Sequence, residues 1–372
     1  ASHITQYAVQ RDPSDIAIGD LDCDDDNDIV SASAMGHFIT TLYNDGSGGF
    51  ADRQDVFISN NNSQRAGFRD TANGVDVEIA DINGDGVNDI VYYQENIRFT
   101  SETFVRPGNL TILFGDCDSA VNTWSETAIT ISNPYHTSME VGDINDDGNE
   151  DIVLVTIDAT FSNQYIQVYR GPDPSLAVNQ QVLIVPMTSG VYTDVHLGHW
   201  GETVQGAGIG APIGDCDDLD LWILRTPPYN AGVGTSVGHY DNMTVLEYDC
   251  IQDQFANPMT PTAQGVHQFK LDAEHNRPME GMDISDTDGD GEIDMIAVVD
   301  GLTGNISYAS KSGNQWDTQN YVNLGNYKGA SITIEDVNRD GEVDFFVPTE
   351  LTLTRVQDSS AQNQTFLLLD IL

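Results

Sequence analysis

An acidic loop signature occurs five times in this chain, and each copy directly precedes a short apolar run. Oxygen-bearing side chains stand at positions 1, 3, 5 and 9 of each copy, and four of the five copies have Gly at position 6. Oxygen ligands at this spacing suit a hard cation such as calcium, and Gly permits the sharp turn that brings them together. We therefore predict about five Ca²⁺ sites. Their ligands would be Asp20, Asp22, Asp24 and Asp28; Asp81, Asn83, Asp85 and Asp89; Asp143, Asn145, Asp147 and Asp151; Asp286, Asp288, Asp290 and Asp294; and Asp336, Asn338, Asp340 and Asp344.

These loops differ from EF-hands, which need flanking helices and a bidentate Glu at position 12. The residues at position 12 are Ser31, Tyr92, Leu154, Ala297 and Val347. The segments on either side of each loop are short and rich in Ile and Val, which is typical of β-strands. The repeating unit is therefore a strand, a calcium loop and a second strand.

The spacing of the loops predicts the architecture. The loops start at positions 20, 81, 143, 286 and 336, so the gaps are 61, 62, 143 and 50 residues. A period of 50 to 62 residues suits about four short strands with their turns. The 143-residue gap has room for one degenerate repeat, in which His199 replaces the first Asp and a Gly-rich insertion (201–214) precedes the second strand.

Six such units predict an all-β fold, a β-propeller with six blades of four antiparallel strands, forming a single domain over 1–372. A seventh blade within 201–280 is the alternative. The last blade lacks one strand near the C-terminus, and the N-terminal segment 4–9 is suited to supply it. Pairing the two ends of the chain in one blade would remove an open sheet edge.

The loop with its apolar flanks, together with the segment 42–50, resembles the FG-GAP/VCBS repeat family. That family includes the N-terminal propeller of integrin α subunits and several secreted lectins. The resemblance covers nearly the whole chain and implies a calcium-binding propeller. The chain departs from the family pattern at Asp25, which replaces Gly, and in the degenerate fourth repeat.

The resemblance also implies a face for ligands. In related propellers the calcium loops lie on one face, and ligands meet the opposite face. By position, that face would include the turn 159–164. The ligand-binding candidates there are Tyr135, His136, Tyr192, Arg277 and Tyr327. Aromatic rings beside polar side chains suit sugar recognition, because rings stack on the apolar sugar face while polar groups bind hydroxyls.

A local cluster in the fourth repeat contains His196, His199, Trp200 and Glu202. Two His with a carboxylate suit a transition metal or acid–base catalysis. However, residues three apart on a strand point to opposite faces. A structural replacement for a lost calcium loop is therefore the favoured interpretation, and no catalytic residue is predicted.

The formal net charge of −45 argues against nucleic-acid binding, because the phosphate backbone would be repelled. No apolar run reaches 18 residues, so membrane insertion is not expected. Open calcium loops suit millimolar extracellular calcium, so we expect a secreted or cell-surface protein.

Four cysteines allow three pairings. A pairing of Cys23 with Cys117 would link the first two blades, and Cys216 with Cys250 would staple the fourth repeat. Four free thiols are the alternative, although a secreted context favours disulfides.

These features favour a non-catalytic, extracellular recognition or adhesion module for a glycan or a protein partner. One alternative is a lyase-like enzyme that acts on polysaccharides at the central face. Another is a self-assembling subunit of a surface layer or filament, in which the N-terminal strand is exchanged between neighbours.

Overall fold

The computed structural model consists of β-strands joined by loops and turns, and its described part contains no helix. The ranges described are 3–10, 13–33, 38–57, 75–95, 108–117, 125–131, 135–158, 160–172, 180–186, 191–199, 219–226, 242–249, 254–257, 266–270, 279–287, 292–300, 305–312, 315–323, 327–329, 332–335, 344–351 and 364–370. Within these ranges, no helix is long and apolar enough to cross a membrane.

The chain divides into two compact units. One contains 1–81, 85–136 and 325–372, and the other contains 82–84 and 137–324. We refer to them as unit 1 and unit 2. The single-domain organisation stays a prediction.

Unit 1 holds two sheets in which four strands follow one another in chain order. The first sheet consists of β2 (Pro13–Gly19), β3 (Asp28–Ser33), β4 (Phe38–Tyr43) and β5 (Asp52–Phe57). The second consists of β6 (Val75–Ala80), β7 (Asp89–Glu95), β8 (Gly108–Phe114) and β9 (Ser125–Ile131). All neighbouring strands are antiparallel.

A further sheet of unit 1 is shared by the two ends of the chain. It contains β1 (His3–Val9), β24 (Tyr327–Gly329), β25 (Thr333–Glu335), β26 (Asp344–Leu351) and β27 (Gln364–Asp370). β1 pairs antiparallel with β27 from His3 opposite Asp370 to Val9 opposite Gln364. β24 and β25 both pair with β26, and together they form one interrupted strand. The predicted closure of the last blade by the N-terminal strand is confirmed.

Unit 2 holds three consecutive sheets of four strands. The third sheet in chain order contains β10 (Tyr135–Gly142), β11 (Asp151–Ile157), β12 (Asn163–Tyr169) and β13 (Gln180–Pro186). The fourth contains β14 (Val191–Gly198), β15 (Asp220–Thr226), β16 (Asn242–Leu246) and β19 (Val266–Lys270), with a small hairpin of β17 (Tyr248–Asp249) and β18 (Gln254–Phe255). The fifth contains β20 (Met279–Ser285), β21 (Met295–Asp300), β22 (Asn305–Ser312) and β23 (Gln315–Asn323).

The predicted fold class is confirmed: the protein is all-β and built of four-stranded antiparallel blades of the β-propeller type. The described strands form six such blades, and the strands inside 201–280 complete the fourth and open the fifth. The degenerate repeat is confirmed as well, because β14 pairs with β15 across the Gly-rich insertion.

Hydrophobic cores lie between neighbouring sheets of the same unit. In unit 1, Val30 and Ile39 of the first sheet pack with Val77 and Ile90 of the second. In unit 2, Val155 and Ile166 of the third sheet pack with Ile223 of the fourth. Sheets covered on both sides need apolar residues at successive strand positions, which explains the continuous apolar runs after the loops.

Candidate metal centres

The first loop is organised around the carboxylate of Asp20. Its Oδ1 accepts hydrogen bonds from the backbone N–H groups of Cys23 (2.8 Å) and Asp24 (3.2 Å), and its Oδ2 accepts one from Asp25 (3.1 Å). These bonds wrap the loop backbone around position 1. The loop geometry is thus formed by the protein itself.

The second and third loops repeat this arrangement. Asp81 accepts hydrogen bonds from the backbone N–H of Asp85 (3.0 Å) and of Gly86 (2.7 Å). Asp143 accepts bonds from the residues at the same two positions of its own loop, again at 3.0 and 2.7 Å. Three copies of one sequence pattern therefore fold into one local structure.

Positions 4 and 6 of these loops adopt left-handed backbone conformations. The φ angles are 62° and 69° at Cys23 and Asp25, 73° and 86° at Gly84 and Gly86, and 52° and 82° at Asp146 and Gly148. The prediction of a sharp turn at the Gly of position 6 is confirmed in the second and third loops. Asp25 adopts the same conformation, which a non-Gly residue does at a cost. The departure from the family pattern at Asp25 therefore leaves the turn intact.

Position 9 carries a buried carboxylate that fixes the end of the third strand in the sheet. Asp28, Asp89 and Asp151 are at most 1% exposed. Each accepts a hydrogen bond from a backbone N–H just beyond that strand: Asn44 (2.9 Å), Gly115 (2.8 Å) and Gly171 (2.8 Å). This carboxylate therefore has a structural role besides any metal contact.

Three carboxylates converge in the first loop. Single oxygens of Asp20, Asp22 and Asp28 all lie within 4.8 Å of one another. The buried Oδ1 of Asp22 has no hydrogen-bond partner, and neither has the buried Oδ1 of Asn145, which stands at the same position 3 of the third loop. Buried polar atoms normally have partners. A cation bound in each loop would give each of these two oxygens a partner, so the residues present fit calcium.

Electrostatics in the first loop also favour a cation. Burial, together with the charges of Asp22 and Asp24, raises the pKa of Asp28 to about 7, although two backbone hydrogen bonds oppose this shift. Burial and the neighbouring carboxylates of Asp24 and Asp20 likewise raise the pKa of Asp22. The ionised carboxylates are thus held together at a cost that a divalent cation would offset.

The third loop differs in one respect. Burial raises the pKa of Asp151, but the Arg170 guanidinium opposes this shift. Arg170 donates to Asp151 Oδ2 and, through its other nitrogen, to the Tyr248 hydroxyl (2.8 Å). Arg170 therefore supplies positive charge to the carboxylates of this loop, which the first loop lacks among its described contacts.

The last two loops are described only in part. In the fifth blade, the backbone N–H and hydroxyl of Thr287 both donate to Asp294 Oδ1, at 3.0 and 2.6 Å, and Asp286 precedes this pair. Asp344 begins β26. The predicted ligands Asp288, Asp290, Asp336, Asn338 and Asp340 lie outside the described residues.

The fourth repeat keeps one element of the loops. Asp220, the first residue of β15, accepts a hydrogen bond from the backbone N–H of Tyr248 (3.1 Å), which lies just beyond the third strand β16. This repeats the position-9 contact of the intact loops. His199 directly follows β14, and its backbone carbonyl accepts a bond from the N–H of Ile293 (3.3 Å). Trp200, Glu202 and Cys216 lie outside the described residues.

The structure places His196 among carboxylates that sequence reasoning did not connect with it. Its Nδ1 lies 3.0 Å from Glu140 Oε2 and 3.4 Å from Asp283 Oδ1, and its Nε2 lies 3.8 Å from Asp194 Oδ2. Burial alone would lower the pKa of His196, but Glu140 and Asp194 outweigh burial and raise it well above the usual value. The carboxylates around the imidazole therefore favour its protonated form, and His196 joins the first strands of three neighbouring sheets.

The predicted disulfide between Cys23 and Cys117 is present, with 5.3 Å between the Cα atoms. It ties position 4 of the first loop to the segment after β8. Cys216 and Cys250 lie outside the described residues, so their pairing stays a prediction.

The candidates for ligand binding are only partly described. Tyr135 and His136 begin β10 and Tyr327 begins β24, but their side chains, and all of Arg277, lie outside the described residues. Tyr192 is 4% exposed and belongs to a hydrophobic core. The burial of the Tyr192 side chain disfavours its contact with a ligand. The role of Tyr192 in ligand binding stays a prediction.

The described part of the turn 159–164 contains an exposed aromatic residue that no sequence motif marks. Phe161 is 56% exposed. The turn is held by Asp158, whose carboxylate accepts hydrogen bonds from the backbone N–H of Thr160 (2.9 Å), Ser162 (3.0 Å) and Asn163 (3.1 Å). The backbone bond from Ser162, together with side-chain hydrogen bonds from Thr160 and Asn163, lowers the pKa of Asp158 to about 2.

Comparison with known proteins gives limited information. No family model matches the chain, and no curated protein matches it. Among solved structures, the chain is similar to that of the Dos1 propeller, with 10% sequence identity and a TM-score of 0.41. That match covers 95% of this chain and 66% of the other. The blade assignment rests on the strand pairing above, and the resemblance to FG-GAP/VCBS repeats stays a prediction.

Proposed function

We propose that this protein is an extracellular, calcium-stabilised β-propeller that acts as a non-catalytic recognition or adhesion module for a glycan or a protein. The observation that carries the calcium part is the convergence of Asp20, Asp22 and Asp28, together with the partnerless buried oxygens of Asp22 and Asn145. Calcium would supply positive charge where buried carboxylates lie close together.

The residues that would hold calcium are those at positions 1, 3, 5 and 9. In the first loop they are Asp20, Asp22, Asp24 and Asp28. Asp20 also organises the backbone, while Asp28 also closes the third strand. A bound cation would therefore connect two strands and their loop. Calcium would in this way stabilise the end of each blade that carries a loop.

The recognition part of the proposal is supported by Phe161. In the third sheet, the calcium loop joins β10 to β11, whereas the turn with Phe161 joins β11 to β12. A strand of seven residues spans about 23 Å, so the two features lie at opposite ends of the sheet. An exposed ring on a turn held by hydrogen bonds loses little entropy on binding, which suits stacking against a sugar or an apolar side chain.

A binding screen against glycans and extracellular proteins tests this function, run with calcium and again with a chelator. We expect binding without turnover, and we expect Phe161→Ala to weaken it. Phe161→Tyr keeps the ring and should retain binding. Phe161→Leu keeps an apolar side chain without a ring, so weaker binding in this variant would show that ring stacking is required. Product formation from a polysaccharide would instead support the lyase-like alternative. Binding that is unchanged in Phe161→Ala would move the ligand site elsewhere.

A further inference from the structure

We call the strand at the end of each sheet that pairs only with the third strand the outer strand of that sheet; in the sheet shared by the chain ends it is β1. The outer strand of the third sheet, β13, has an exposed apolar face. Val182 is 47% exposed and Ile184 is 55% exposed, and they stand two residues apart on the same side of the strand. On the other side, Val185 is 1% exposed and Leu183 packs against the core of unit 2. Burying Leu183 and Val185 thus leaves two β-branched side chains exposed to solvent.

β13 is also a sheet edge. Among the described strands it pairs with β12 alone. An edge strand presents backbone N–H and C=O groups to other chains, and proteins usually protect it with charges, bulges or covering segments. β13 itself contains no charged residue, and only Pro186 at its end would block pairing.

The other outer strands are better protected. β5 carries Arg53 and Asp55, which form an ion pair at 2.8 Å. The same Arg53 covers the outer strand β1 by donating to the backbone carbonyl of Ala8 (3.1 Å). The remaining outer strands, β9, β19 and β23, contain Glu126, Lys270 and Asp317, respectively.

Charge along the chain indicates what β13 can bind. Residues 174–193 contain no Asp, Glu, Lys or Arg, and this run of 20 is the longest in the sequence. At a net charge of −45, two copies of the chain repel each other over most of their surfaces. A contact between copies is favoured where both surfaces lack charge, and β13 lies inside this run.

We propose that β13 pairs antiparallel with β13 of a second copy of this chain, about a two-fold axis at Leu183. In this register Val182 of one copy lies opposite Ile184 of the other, and directly opposite residues share a face. The four exposed side chains then form one apolar cluster, and the two blades form a continuous eight-stranded sheet. Seven residues bury little area, so the dimer is weak, with a dissociation constant of roughly micromolar order.

Sedimentation equilibrium over about 1 to 100 µM full-length protein, in calcium buffer, tests this pairing. We expect the wild type to form dimers with rising concentration. In Val182→Glu/Ile184→Glu, like charges face each other across the axis, and the dissociation constant should rise more than about tenfold. Val182→Lys/Ile184→Lys should be equally monomeric, although it makes the chain less acidic and so controls for net charge.

Mixing the two double variants is the decisive arm. Each Glu then faces a Lys, so we expect a heterodimer to form from two monomeric proteins. Circular dichroism checks that both variants fold, which the exposure of both positions favours. A wild type that stays monomeric overturns the proposal, as do double variants that still dimerise. A mixture that stays monomeric overturns the two-fold register. The mixture is needed because each variant alone would also abolish a non-specific apolar contact.

Discussion

The third and fourth repeats are neighbours in unit 2 with the same four-stranded pattern, but only the third has an intact loop. Both place a carboxylate at the start of the second strand, Asp151 and Asp220, and both use it to bind a backbone N–H beyond the third strand. The fourth repeat lacks the Asp-x-Asn-x-Asp pattern that precedes this carboxylate in the third. The carboxylate at position 9 thus has the same structural role in both blades, whereas the residues at positions 1, 3 and 5 occur only in the repeat for which we propose a metal.

The fourth repeat also has a histidine whose protonated form is favoured by neighbouring carboxylates. His196 on β14 lies between Glu140 of the third sheet and Asp283 of the fifth. Asp194, on the same strand, accepts hydrogen bonds from Ser138 Oγ (2.7 Å) and from the backbone N–H of Met282 (2.6 Å). The intact repeats are expected to gain positive charge from calcium, whereas this repeat has the imidazole of His196. His196 and Asp194 also contact the third and fifth sheets.

Removing calcium should have the largest effect and should separate the two repeats. Each site at a free calcium concentration of 100 times its dissociation constant contributes about 2.7 kcal/mol to stability. We expect chelation to lower the melting temperature strongly. Hydrogen exchange should show lost protection first at the ends of β10 and β11 near the loop, and later at β14 and β15. Equal loss of protection in both repeats would contradict the comparison.

Breaking the disulfide should have the next largest effect. Cys23→Ser/Cys117→Ser removes a link that closes 94 residues, and the expected loss in free energy of unfolding is about 2 to 5 kcal/mol. Because Cys23 stands in the first loop, calcium affinity should fall there and not in the third loop. Denaturant unfolding and a calcium titration check the two effects. An unchanged first-site affinity would show that the disulfide acts on stability alone.

Replacing the retained carboxylate tests its structural role. Asp220→Ala leaves the backbone N–H of Tyr248 without its acceptor, at a cost of roughly 1 to 3 kcal/mol. The loss should be the same with calcium and with chelator. Asp24→Ala, at position 5 of the first loop, is the matched contrast, because its main effect should appear with calcium. A calcium-dependent effect of Asp220→Ala would mean that the fourth repeat binds metal.

The His196 cluster predicts a pH-dependent effect. Since the folded pKa lies above the usual value, this histidine stabilises the fold below about pH 6.5, and its contribution is lost as pH rises through the folded pKa. His196→Gln should therefore cost roughly 1 to 3 kcal/mol at about pH 6 and progressively less at higher pH. Unfolding curves of both proteins across this range check the sign. A constant difference would mean that the charge of His196 has no role.

Asp25→Gly should have the smallest effect, and it should be stabilising. Asp25 has a φ of 69°, which Gly adopts more readily, so a gain of about 0.5 to 1 kcal/mol is expected. Gly86→Ala in the second loop is the mirror test and should destabilise by a similar amount. Melting temperatures in saturating calcium check both. A loss of stability in Asp25→Gly would show that the Asp25 side chain matters more than its backbone.

The loops and blades were predictable because their signals are local. Nine residues encode each loop, and the spacing of the loops gives the length of a blade. The surroundings of His196 were not predictable, because Glu140 and Asp283 come from strands 56 and 87 residues away in sequence. Asp220 was visible in the sequence, but its link to Tyr248 depends on the third strand. The burial of Tyr192 was not predictable either. It depends on packing between sheets, and the position of Tyr192 between two repeats in the sequence does not reveal that packing.

The number of calcium ions bound by the native protein tests the central claim most directly. Equilibrium dialysis of the wild type should give about five ions per chain, and Asp22→Ala and Asn145→Ala should each give one fewer. Circular dichroism in calcium buffer confirms that the variants are folded. The account is contradicted if the wild type binds no calcium, or if both variants bind as many ions as the wild type.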